Sequence, residues 1–165
     1  TQYNNIYAIG DVSGPPWLAH VASAEGVLAV EHFSKKDVDP IDYGNIPGCT
    51  YCKPEVASIG LTEEQAISEG YNVSVGKFPL SASGKAMAVS STDGFVKVVY
   101  DKKYGELLGF HMIGDSATEL VSEIAVARKL EATNDEILKI IHPHPTISEA
   151  IVEATADSKD ESIHI

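Results

Sequence analysis

The chain has 165 residues, 44% of them hydrophobic, enough to bury one full domain core, or one domain and part of another. Its 24 acidic residues outnumber 12 basic ones for a formal net charge of -12, a surface that repels phosphate backbones and excludes nucleic acid as an expected partner. No apolar run approaches the roughly 20 residues of a membrane-spanning helix, so no membrane association is expected.

The opening Thr1-Gln2-Tyr3-Asn4-Asn5 lacks the basic-then-apolar plan of a signal peptide. It also lacks a Met, so the chain is expected to continue from something longer. Ile6 to Asp11 reads as a short buried strand ending in a Gly-Asp turn, followed by the loop Ser13-Gly14-Pro15-Pro16. Trp17 to about Phe33 carries a helical pattern, with Leu18, Val21, Ala22, Leu28 and Ala29 as its apolar face. Ser34 to Gly48 is polar and rich in turn residues. That shift places the domain boundary after residue 45, giving domains 1–45 and 46–165.

Beyond the boundary, strand and helix signals alternate. Val56 to Leu61 is strand-like, and Thr62-Glu63-Glu64-Gln65 fits a capping box opening a short helix that stops at Gly70. Tyr71 to Phe78 alternates as a strand that Pro79 ends. Phe95 to Tyr100 and Glu106 to Ile113 are two more strands joined by a hairpin-type connection. Ser116 to Leu130 reads as a helix capped from Ser116 to Glu119, Thr133 to Glu136 starts another, and the last helix runs from about Thr146 to Asp157. Strands in close succession with helices before and after define an α+β fold: an antiparallel sheet flanked by helices.

The strongest chemical feature is His142-Pro143-His144-Pro145-Thr146-Ile147-Ser148-Glu149. Pro145 disfavours helical geometry at His144 and holds it in an extended turn ahead of a helix. An imidazole there can take and give a proton near neutral pH, and a carboxylate on one ring nitrogen would fix its tautomer. Glu149 is close enough in sequence to reach back to it. A structural alternative stands beside this one: Thr146-x-x-Glu149 is itself a capping box, and both histidines could be surface loop residues.

The run His142 to Glu149 resembles the His-x-His-Pro-Thr-x-Ser-Glu signature of the dihydrolipoamide dehydrogenases, within the pyridine nucleotide–disulfide oxidoreductase family. Four further motifs follow the family's order. Thr1 with Ala8-Ile9-Gly10-Asp11 looks like the motif closing the FAD-binding domain, and Trp17-Leu18-Ala19-His20 like the helix start lying against the flavin. Pro54 to Gly60 and Gly76 to Pro79 are similar to strands of the interface domain. Glu161 to Ile165 looks like a natural terminus.

The resemblance implies several roles. His144 would deprotonate a dihydrolipoyl thiol, because the thiolate is the nucleophile in disulfide exchange, and Glu149 would orient it. Asp11 would accept hydrogen bonds from the flavin's ribityl chain. Trp17, Leu18, Ala19 and His20 would offer backbone N–H groups to the isoalloxazine edge. Without the resemblance, Asp11 is equally a turn-former and His20 a helix-surface imidazole. Residues 1–45 would be the end of the FAD-binding domain and residues 46–165 the dimerisation domain of a cytoplasmic homodimer. That domain would send its His-Glu pair into the partner's active site, with lipoyl domains of 2-oxoacid dehydrogenase complexes as substrates.

FAD and NAD would serve the whole enzyme. The chain alone is expected to hold neither stably and to be inactive, because the Gly-x-Gly-x-x-Gly fingerprints and the Cys-x4-Cys redox pair are absent. Cys49-Thr50-Tyr51-Cys52 could be a dithiol or half a zinc site. Residues three apart on a strand point to opposite faces, however, so two small strand residues are the simpler expectation, with no metal site. His111 is expected to be structural. A disulfide reductase of the glutathione or trypanothione type and a non-catalytic oligomerisation module are the alternatives; a mercuric reductase fits less well.

Overall fold

The computed structural model describes residues 1–165, which divide into two compact units, Thr1–Tyr43 and Gly44–Ile165. The first is organised by one helix, α1 (Ala19–Phe33). The carboxylate of Glu25, on this helix, accepts from the Gly10 N–H at 2.6 Å, from the Tyr43 hydroxyl at 2.7 Å and from the Ser13 hydroxyl. The strand expected over Ile6–Asp11 does not form. No other segment of this unit supplies a strand to complete its backbone hydrogen bonds. Gly10 instead takes a φ of +70° and opens a 3-10 helix, Gly10–Ser13. Of the apolar face expected on α1, Val21 is buried and Leu18, Ala22, Leu28 and Ala29 are half-buried, while Tyr7, Ile9, Val27, Val30 and Phe33, outside that face, are exposed.

The second unit is a five-stranded antiparallel sheet in the order β1-β2-β5-β4-β3. Its strands are β1 (Gly48–Thr50), β2 (Glu55–Gly60), β3 (Val73–Pro79), β4 (Phe95–Asp101) and β5 (Leu107–Gly114). The expected α+β architecture is therefore present. Phe78, Val96, Val98, Tyr100, Phe110 and Met112 turn to one face, where they meet α4 (Ala117–Lys129), α5 (Asn134–Lys139) and α6 (Glu149–Asp157). Val99 and Leu108 turn to the other, against Ala66 on α2 (Glu63–Ser68). A bulge at Val99/Tyr100 lets Leu107 join the first face and Leu108 the second.

The local signals held unevenly. Thr62 and Gln65 form the expected capping box, and Glu136 accepts from the Thr133 N–H at the start of α5. Ser116 does not cap α4: it adopts a left-handed backbone, and its side chain makes no cap hydrogen bond. Glu55, on β2, does the work instead, accepting from the Thr118 N–H at 3.0 Å and the Thr118 hydroxyl at 2.8 Å. β3 runs through Pro79 rather than ending before it, because Pro79 lies on the edge strand, where a missing N–H costs no ladder bond. α6 starts at Glu149, three residues later than expected.

Two contacts fix where α6 lies. A Cβ on Gly76 would come within 1.8 Å of the Ala154 carbonyl oxygen, so only glycine lets the helix backbone rest on β3. The outward N–H of Lys77 on this edge strand is taken by Asp157 Oδ2 at 2.8 Å, and the Ser74 hydroxyl donates to the Ser158 carbonyl. Inside, the Tyr100 hydroxyl meets Thr155 Oγ1 at 3.0 Å, and burial pushes that phenol up to about 12.

Candidate active site

His144 lies in the loop 140–148, joined to Pro145 by a cis peptide. The loop is pinned by Ile147, whose side chain enters the core, and by the Thr146 hydroxyl, which donates to the Pro143 carbonyl at 2.7 Å. His144 Nδ1 is 2.9 Å from Glu149 Oε1. The other carboxylate oxygen, Oε2, accepts from the Thr146 N–H at 2.8 Å. Glu149 thus makes both contacts its position allowed, one with each oxygen. Thr146 makes only half a capping box, because its own hydroxyl turns away to Pro143 and Ser148.

An ionised carboxylate can only accept, so the Nδ1 of His144 carries the proton and the Nε2 of the neutral ring keeps its lone pair. The His144 side chain is 77% exposed, which leaves Nε2 open to a reacting group. Burial pushes the Glu149 carboxyl up. Its bonds to Thr146 and His144, with the nearby imidazole charges, outweigh that and hold it below its ordinary value. The ion needed to orient the ring is therefore present at neutral pH. The pair opens on a cleft of about 300 Å³ whose other walls include Phe78, Ala82, Met87 and Ala150. No cysteine lines it.

The remaining candidates lie apart from this cleft. His142 is not the surface loop residue one reading allowed: its side chain is 6% exposed, with Nε2 2.8 Å from Glu123 Oε1 and Nδ1 3.4 Å from the Ile140 carbonyl. Through Glu123 it braces the loop against α4. His111 Nε2 contacts the Leu61 carbonyl at 3.1 Å, and burial lowers its pKa, as suits a structural histidine. Cys49 lies on β1, where burial pushes its thiol up. Cys52 lies in an exposed turn past the strand end, so the expectation of two strand cysteines was right for Cys49 only. Both thiols are free, and no group of three metal-ligating side chains is present.

In the first unit, Asp11 is exposed within the 3-10 helix. Trp17, Ala19 and His20 are exposed and Leu18 is half-buried, at the start of α1. Leu18, the N-cap residue, makes no side-chain cap hydrogen bond; its carbonyl accepts from the Val21 N–H at 3.0 Å and the Ala22 N–H at 3.1 Å. Sequence reasoning missed Glu25 and the Glu153–His164 pair in the second unit. The spacing of Glu149 and Glu153, four apart on one helix face, was the available signal for the latter.

The helix-covered antiparallel sheet thus carries a loop His hydrogen-bonded to the first residue of the last helix. The second unit belongs to the pyridine nucleotide-disulphide oxidoreductases, whose dimerisation-domain model matches residues 46–155. Within that family the chain is similar to dihydrolipoyl dehydrogenases. It is 51% identical to that of Zymomonas mobilis over 99% of this chain and 35% of the relative. The Bacillus subtilis enzyme is 50% identical over 99% and 35%. The chain thus spans about a third of the length of the curated relatives it matches.

Among solved structures, LpdA from Mycobacterium tuberculosis matches with a TM-score of 0.85 at 29% identity, over 91% of this chain and 33% of that one. The HOCl-induced flavoprotein disulfide reductase RclA from Escherichia coli matches in fold, with a TM-score of 0.86 at 23% identity over 92% and 35%. No helix is long and apolar enough to cross a membrane.

Proposed function

We propose that this chain is the C-terminal region of a homodimeric flavoprotein that oxidises dihydrolipoyl groups with NAD, and that it supplies His144 and Glu149 to the partner subunit's active site. The observation that carries this reading is the geometry of the pair: Nδ1 is fixed by Glu149, and the exposed ring opens on a cleft that contains no thiol. A base of this kind needs a substrate thiol and a disulfide for it to attack, and a two-fold dimer brings the disulfide. Nε2 takes the proton of a dihydrolipoyl thiol, and the thiolate attacks the partner's disulfide, forming a mixed disulfide as the S–S bond breaks and one cysteine leaves as thiolate; Glu149 stabilises the imidazolium formed. The apolar walls beside the pair suit an aliphatic arm.

Residues 1–45 fit the end of an FAD-binding domain. The exposed apolar side chains on Thr1–Tyr43 are a face to be covered. The positive end of the α1 dipole suits an electron-rich edge, and the Asp11 carboxylate suits sugar hydroxyls. Asp11 and the backbone of Trp17, Leu18, Ala19 and His20 would hold the flavin, which supplies the two-electron acceptor when bound. The chain carries neither the nucleotide fingerprints nor the Cys-x4-Cys pair, so alone it binds FAD and NAD weakly and is inactive. Lipoyl domains of 2-oxoacid dehydrogenase complexes are the implied substrates, and a reducing cytoplasm suits its free thiols.

Complementation tests catalysis across the dimer. Full-length subunits carrying His144→Gln are exchanged with subunits whose redox cysteines are replaced by serine. Each heterodimer then has one site with a base and a disulfide, so random pairing should restore about a quarter of wild-type activity. Heterodimers that form but stay inactive would contradict the reading.

A further inference from the structure

A second imidazole–carboxylate pair lines the same cleft. Glu153 follows Glu149 by four residues on α6, which puts both on one helix face. Glu153 Oε1 lies 2.6 Å from His164 Nδ1, and Oε2 accepts the N–H groups of Ile163 and His164, each at 3.2 Å. The Glu153 side chain is 13% exposed and that of His164 66%: the carboxylate is set into the protein, and the imidazole lies over it. Burial pushes the Glu153 carboxyl up, but these hydrogen bonds outweigh it and keep it below its ordinary value.

As with His144, an acceptor-only carboxylate places the ring proton on Nδ1 and leaves Nε2 of His164 for other partners. The two pairs supply every titratable side chain lining the cleft; Phe78, Ser83, Gly84 and Met87 on the walls from β3 and α3 (Gly84–Ala88) are uncharged. The pairs also sense each other, since the His164 charge is one cause of the lowered Glu149 carboxyl.

Resting on the acid–base reading of His144, we infer that Glu153 and His164 are a positioning pair for it. Glu153 fastens the segment Ile163–His164 along α6 so that His164 walls the His144–Glu149 cleft. There it sets the orientation and charge in which His144 takes its proton. The pair is not itself required to touch the reacting thiol.

The test uses the full-length flavoenzyme with His164→Ala, His164→Asn and His144→Gln. His164 is largely exposed, so its replacement leaves the core intact, and thermal unfolding verifies this. His164→Ala should lower kcat/KM for dihydrolipoamide about fivefold to tenfold and displace the acid limb of its pH profile by about half a unit. In His164→Asn the amide N–H replaces the Nδ1–H towards Glu153. This variant should recover most of kcat/KM but keep the displaced limb, because it carries no charge.

A His164→Ala enzyme with wild-type kcat/KM and pH profile, beside a disabled His144→Gln enzyme, would overturn the inference and leave the acid–base reading standing. So would a lowered Tm with no change in the profile. Wild-type turnover by His144→Gln would overturn the acid–base reading and the inference with it.

Discussion

His144 and Glu149 are five residues apart, and the 2.9 Å contact between Nδ1 and Oε1 uses only one of the two carboxylate oxygens. The other accepts from the Thr146 N–H, so the side chain that orients the imidazole also ties down the loop carrying it.

Replacing Glu149 by Gln separates the two contacts. The amide oxygen can still accept from Thr146, while the amide nitrogen now faces Nδ1 as a donor. The ring must then keep its lone pair on Nδ1, and the outward Nε2 becomes a donor. Dihydrolipoamide oxidation by the full-length variant should fall by about tenfold to a hundredfold. Urea unfolding should show a loss of less than about 1 kcal/mol.

Gly76 is a structural position with a functional consequence. Adding a Cβ drives it into the Ala154 carbonyl, so Gly76→Ala must lift α6 and with it Glu149 and Glu153. A destabilisation of about 2 kcal/mol is expected, as for other forced overpacking. Catalysis by the remaining folded enzyme should fall as well, since a small displacement of a catalytic group is costly. Denaturant titration and steady-state kinetics on the same sample measure both.

Glu153 gives acid sensitivity. Its carboxyl is lower in the folded chain than its ordinary 4.5. Its contribution to stability is therefore full above that value and is lost as pH falls through the lower folded one. Thermal unfolding between about pH 5 and pH 3 should show Tm falling with acid, less steeply in Glu153→Gln. Parallel slopes would contradict the assignment.

The parts of the fold legible in the sequence are those governed by local pattern. The strand β3 identifies itself by alternation within its own residues, and the Thr62–Gln65 capping box because its two partners lie three residues apart. The failures share the opposite cause. Ile6–Asp11 has a strand's composition but no neighbour to pair with. Ser116 has a cap's residue type, but Glu55 from across the sheet takes the N–H it would have served.

The site divides the same way. The His144–Glu149 contact spans five residues and could be anticipated. His142 meets Glu123 on another element, and Glu153 is covered by a segment eleven residues on, where only its spacing from Glu149 gave a signal. Gly76 declared a motif, but its reason is a helix backbone nearly eighty residues away.

The proposed role of His144 as the base is tested most directly by dihydrolipoamide oxidation with full-length His144→Gln enzyme at saturating NAD. A fall in kcat of about a hundredfold or more is expected, the scale of a lost general base, with dimerisation and Tm unchanged because the side chain is exposed. A kcat within a factor of about two of wild type, too small a change for the loss of such a base, would contradict the role assigned to His144.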